Sequence, residues 1–293
     1  MALKKEDKES CLMNDLVVKP LLKNSIVARE LTSRIISNVM NVSYEEIYNN
    51  LKYIDNDRSY SSKVVDARTD IMVETDKYFI NLEICYTNGI NRDRQMDTYN
   101  YELYISQAIK TSNYKYMKQI VQIMIENYDY FHNKEFIYEV CFMEKNLHLT
   151  ENNFITKYHI NLDLLKDIDY NSIKYEKDAL KRMLYMLVCD KEYLDKVYRG
   201  DLFMEKVIKT AKEIAGKEKI PLYLSESEIR RLDREEAMEE GEKIGILKGI
   251  KQNRTDVVIE MYKNSIDIDI ISKCVKLSTD EVKRIIKDNK EEK

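Results

Sequence analysis

Asp70 and Glu83 are the side chains whose placement in the sequence most clearly suggests chemistry. The segment between them reads as a β-hairpin centred on Asp76-Lys77, with Thr75 and Tyr78 closing the turn. In that register Asp70 faces Glu83, Ile71 faces Leu82, Met72 faces Asn81 and Arg68 faces Cys85. Counting outward from the turn makes 70–83 a non-hydrogen-bonded pair, with Cβ atoms about 4.5–5.5 Å apart. Like charges so opposed destabilise a sheet. A bound cation reverses that sign, and paired carboxylates are oxygen ligands suited to Mg²⁺ or Mn²⁺.

Side-chain alternation supports the register. Ile71 and Val73 share a face with Ile80, Leu82 and Ile84, which makes an apolar layer for a core. Asp70, Met72 and Glu74 lie on the other face with Phe79, Asn81, Glu83 and Cys85. A one-residue slip would drive both carboxylates into the apolar layer. The turn lacks the glycine that tight primed turns favour, so a four-residue loop with the same centre serves equally and keeps the pairing.

The elements that must position this hairpin can be read on either side of it. Residues 25–40 form an amphipathic helix with Ile26, Val27, Leu31, Ile35 and Val39 at helical spacing and Asn24 or Ser25 as the cap. A short helix at 43–50 and a strand near 51–55 precede the hairpin. A helix over 92–112 follows it, with Met96, Tyr99, Leu103, Ser106, Gln107 and Ile109 on related faces. The segments 119–125, 136–142 and 154–160 are rich in β-branched and aromatic residues and read as strands. This order predicts an α/β (α+β) fold with a mixed sheet flanked by helices.

From about 163 the chain reads as wholly helical. Ser225 and Glu228 form a capping-box pattern at the head of a charged helix over 225–263, in which Gly241, Gly245 and Gly249 recur every fourth residue. That spacing suits a close helix contact or a flexible helix and matches no phosphate-binding loop. Residues 266–286 read as two short helices, the second capped by Ser278. They resemble either a helix-turn-helix or a small packing hairpin. The expected organisation is a core over 1–162, a helical region over 163–224 that packs on it, and an extension over 225–293.

Composition narrows the function classes. The 293 residues carry a net charge of −4, which argues against a uniformly basic nucleic-acid binder but not against a local basic cleft. The five cysteines are dispersed and the three histidines lack ligand spacing, so a zinc site or disulfide framework is not expected. No apolar run approaches the roughly 20 residues of a membrane span, and the charged N-terminus does not read as a secretory signal, so the expected location is cytoplasmic.

An ordered series of motifs resembles the PD-(D/E)XK nuclease superfamily, and within it the bacterial recombination-promoting nuclease/transposase family. The series begins with Asn14-Asp15-Leu16-Val17-Val18-Lys19. It continues through Arg68-Thr69-Asp70-Ile71, then Asn81-Leu82-Glu83-Ile84-Cys85, and an arginine-bearing helix start at Arg92 and Arg94 leading to Tyr99. The Glu/Gly/Lys-rich segment 235–251 and the terminal 266–286 segment extend the likeness over most of the chain.

The resemblance implies a restriction-endonuclease-like fold with a helical C-terminal extension, and Mg²⁺- or Mn²⁺-dependent hydrolysis of DNA phosphodiester bonds linked to recombination or transposition. It gives Asp70 and Glu83 the metal-binding roles and Asp15 an accessory one, with Arg92, Arg94 and Tyr99 meeting DNA. It also exposes a departure at Cys85, where the superfamily usually has lysine and this branch often has glutamine. Cysteine supplies neither a positive charge nor an amide's hydrogen bonds. Arg68, or an arginine of the next helix such as Arg94, is expected to replace that charge. The alternative is a catalytically impaired member that binds DNA or a protein. A homodimer through the C-terminal helices would suit double-strand cleavage.

Overall fold

A computed structural model describes residues 12–23, 25–54, 70–86, 92–111, 113–150 and 154–291. The chain divides into two compact units, Met1–Ile229 and Arg230–Lys293.

The first unit is built on a six-stranded mixed sheet. Its strands are β2 (Lys52–Ile54), β3 (Ile71–Glu74), β4 (Tyr78–Cys85), β5 (Gln119–Glu126), β6 (Ile137–Val140) and β7 (Ile155–Asn161), in the spatial order β2-β3-β4-β5-β7-β6. β4, β5 and β7 run parallel and the remaining pairs are antiparallel. A parallel pair needs a crossover, and α4 (Arg92–Thr111) lies between β4 and β5 in the chain.

The expected hairpin register holds: Ile71 pairs with Leu82, Met72 with Asn81 and Val73 with Ile80. The turn is the short one. Thr75 replaces what glycine would give, since its buried hydroxyl accepts from the Lys77 and Tyr78 amides at 3.3 and 3.0 Å. Neither Asp76 nor Lys77 has a positive φ, so no glycine is required.

One sheet face is aliphatic. Ile71, Val73, Ile80, Leu82, Val121, Ile123, Ile125 and Ile160 are buried in a large core with α1 (Asp15–Leu21), α2 (Ile26–Met40), α7 (Ala179–Leu184) and α9 (Leu202–Glu218). α2 starts at Ser25, whose Oγ accepts from the Ala28 amide at 2.9 Å, as the sequence indicates. The other face packs on α4 through Met72, Phe79, Leu103 and Ile120. Met96 and Gln107 are buried there too, but Ile109, expected on the same side, is 75% exposed. The helix phase turns Ile109 away from the sheet.

One strand pair lies outside the sequence reading. β8 (Tyr223–Leu224) interrupts the region expected to be wholly helical and pairs antiparallel with β1 (Leu12–Met13). Two-residue strands carry no readable alternation. Asn14 extends the clasp, its amide donating to the Leu222 carbonyl at 3.0 Å and its Nδ2 to the Pro221 carbonyl at 3.2 Å. The same side chain caps α1 by accepting from the Leu16 amide at 3.1 Å.

The long helix α10 (Glu226–Lys263) has its expected capping box, with Ser225 Oγ and Glu228 bonded reciprocally. No described atom lies within 4 Å of a Cβ built on Gly241, Gly245 or Gly249, so the glycine stripe makes no close helix contact among the described residues. The second unit closes on itself around Val258, Ile271, Val275, Val282 and Ile286, which join the end of α10 to α11 (Ile268–Val275) and α12 (Thr279–Glu291). Ser278 and Glu281 form a second capping box at the start of α12.

Candidate active site

Asp70 and Glu83 meet at the open end of the hairpin. The Asp70 amide donates to Glu83 Oε1 at 3.1 Å, and Asp70 Oδ2 accepts from the Ile84 amide at 2.9 Å. Each carboxylate is therefore pinned by the other's strand. The Asp70 side chain is 16% exposed, and Glu83 is buried. Burial, and then the charge of Asp70 beside it, push the Glu83 carboxyl up to about 8.

Helix α1 brings a cation to this pair. Val17, Val18 and Leu21 turn one face of the helix into the core. That leaves Asp15 and Lys19, one helical turn apart, on another face. Lys19 Nζ sits 2.7 Å from Asp15 Oδ2 and 2.9 Å from Asp70 Oδ1. Burial works against its charge, but Asp70 and Asp15 more than offset this and hold the ammonium above the ordinary lysine range. Asp15, expected as an accessory metal ligand, reaches the carboxylate pair through Lys19.

A second cation flanks Glu83. The positive charge of Arg92 lies close enough to Cys85 and Glu83 to favour their ionised forms. Cys85 itself is buried, and that burial pushes its thiol up to about 12. It is a protonated side chain between charged neighbours and is suited neither to nucleophilic attack nor to thiolate ligation.

Arg94, expected to supply the charge missing at position 85, is exposed on α4. Arg68 lies outside the described residues. Tyr99, expected to meet DNA, packs with the cluster under α4 and donates its hydroxyl to Met72 Sδ.

The same sheet face carries a centre that sequence reading missed. Glu126 and His159 are both buried, and His159 Nδ1 lies 3.1 and 3.2 Å from the two Glu126 oxygens. Tyr128 donates to Glu126 at 3.2 Å, and the Tyr130 ring lies 4.6 Å from the imidazole. Parallel pairing sets Cys85 beside Glu126 and Met124 beside His159. The available signal was phase: Gln122 and Glu126 recur on one side of an otherwise apolar strand.

The donors at Asp70 and Glu83 fit a hard divalent ion in type, since all are carboxylate oxygens. Asn81, next to Glu83 on the same face, leaves its buried Oδ1 without a hydrogen-bond partner among the described residues. Among those residues no group of three or more His, Cys, Asp or Glu side chains comes together as a metal cluster. No family model matches the chain, and no curated protein or solved structure was found similar to it. Among the described residues no helix is long and apolar enough to cross a membrane.

Proposed function

We propose that this chain is a divalent-metal-dependent DNA endonuclease of the PD-(D/E)XK type, hydrolysing phosphodiester bonds in recombination or transposition. The observation that carries the reading is the pinned pair: Asp70 and Glu83 exchange backbone and side-chain contacts across the hairpin. They do so at the carboxyl end of β4, where open α/β sheets bind ligands. Asp70 and Glu83 would hold Mg²⁺ or Mn²⁺, which supplies Lewis-acid polarisation of the phosphate and an acidified water.

The chain's own groups do the rest. The backbone amide of Ile84 fixes the direction of the Asp70 carboxylate. The Asp70 amide fixes Glu83. Arg92 stands beside Cys85 and supplies, from the start of α4, the positive charge that position 85 lacks. Arg94, exposed in the first turn of the same helix, is available to a phosphate from outside.

The test is nicking of supercoiled plasmid by the full chain with Mg²⁺ or Mn²⁺, beside Asp70→Ala. We expect cleavage by the wild type and a loss of at least about a hundredfold in the variant, the scale of losing transition-state charge stabilisation. Equal cleavage by both proteins would remove Asp70 and Glu83 from the chemistry. The buried, protonated Cys85 favours a second reading, a member impaired in catalysis that binds DNA or a protein. DNA retention with no cleavage under either metal is its signature.

A further inference from the structure

We infer that Lys19 is a built-in counter-ion that competes with the divalent cation for Asp70 and is passed to Asp15 when the metal binds. The inference rests on the metal-site reading above and adds a residue that sets the affinity of the site.

The oxygens of the pair are not equally committed. Asp70 Oδ2 and Glu83 Oε1 are held by main-chain amides, whose positions are fixed by the backbone. Asp70 Oδ1 is held by the Lys19 ammonium, on a flexible stem that swings at little cost. The partner that must yield to a metal at this oxygen is therefore the movable one.

The ammonium also has a second carboxylate in hand. Lys19 Nζ already touches Asp15 Oδ2, one helical turn back on α1. Leaving Asp70 does not strand a charge, because the ion pair on α1 persists. The exchange is balanced: Asp70 gives up one cation and gains another, and Lys19 keeps an anionic partner. Asp15 thus serves as the resting place of the lysine, a role that explains why it reaches the pair only through Lys19. In the metal-free protein the same ammonium balances the charge of Asp70 beside Glu83.

The experiment is Mn²⁺ binding to the full chain by titration calorimetry, for the wild type and for Lys19→Met, Asp15→Asn and Asp70→Asn. Lys19→Met keeps the length of the stem and removes the competitor, so Mn²⁺ should bind about tenfold more tightly. Asp15→Asn removes the resting place, so binding should weaken several-fold. The Lys19→Met effect should persist at about 0.5 M NaCl, because a contact competition is screened far less than a distant field. Thermal melts of the metal-free chains give a second readout. Lys19→Met should melt lower than the wild type and recover more on adding Mn²⁺.

Unchanged or weaker Mn²⁺ binding by Lys19→Met, with binding abolished in Asp70→Asn, would overturn the role of Lys19 and leave the metal site standing. Equal binding by Asp70→Asn and the wild type would overturn the metal site itself. If the wild type and Lys19→Met both fail to bind, both conclusions fall. Binding that appears only in Lys19→Met would support the competition directly.

Discussion

The two faces of the central sheet obey different rules. One carries Ile71, Val73, Ile80, Leu82, Val121, Ile123 and Ile125 into an aliphatic core in which burial alone is stabilising. The other carries Asn81, Glu83, Cys85, Gln122, Glu126 and His159, all buried, with buried Asn100 of α4 donating to Gln122 at 2.6 Å. Buried polar groups cost free energy unless each finds a partner. Several do not: Asn81 Oδ1, Asn100 Oδ1 and Gln122 Nε2 lack hydrogen-bond partners among the described residues. A fold that needed this face only for packing would have filled it with aliphatic side chains, as it did opposite. The difference teaches that the α4 side carries buried polar groups at a cost in stability that the aliphatic face does not bear.

The sharpest way to break the contrast is to put a charge on the aliphatic face. Ile123→Asp buries an unpaired carboxylate and should cost about 5 kcal/mol or more, which is enough to unfold a marginal domain. Loss of the cooperative melt by circular dichroism is the expected result. A folded, stable variant would mean that the two faces are less different than their compositions.

A smaller loss is expected within the polar face. His159→Ala leaves the buried Glu126 carboxyl with the Tyr128 hydroxyl as its side-chain partner among the described residues and should cost about 3 kcal/mol, the scale of breaking a buried pair. Glu126→Gln keeps a hydrogen-bond acceptor for the histidine and should cost less. Urea unfolding of the two variants orders them. Equal, negligible losses would make this pair a passive filler.

The smallest effect, taken per pH unit, is a slope. Between the ordinary carboxylate value of 4.5 and about 8 the folded metal-free protein binds a proton at Glu83 that the unfolded chain releases. Stability should therefore fall as pH rises through that interval, by up to about 1.4 kcal/mol per pH unit at its steepest. Glu83→Gln should flatten this dependence, and melts from pH 5 to 8 in chelator would show it. Parallel pH profiles for both proteins would contradict the raised carboxyl.

Local pattern decided what could be read from sequence. The hairpin register followed from period-two alternation around Asp76-Lys77, and Ser25, Ser225 and Ser278 announced their helices because a cap is a local hydrogen bond. Residues that meet only through space were hidden. Lys19 reaches Asp70 from α1, and Glu126 meets His159 through parallel strands brought together by the sheet. The choice of arginine was a matter of helix phase. Arg92 and Arg94 stand about 200° apart around α4, so only one of them can face Cys85, and nothing in the first turn says which.

The β1–β8 clasp gives the molecule an order of assembly. The strands bearing Asp70 and Glu83 are near neighbours in the chain and can pair soon after both have left the ribosome. Asn14, which caps the helix of Lys19, finds its carbonyl partners only when Pro221 and Leu222 have been made. At ribosomal speeds that wait is on the order of ten seconds. A nascent chain thus carries its acidic pair well before the clasp that anchors its lysine can close.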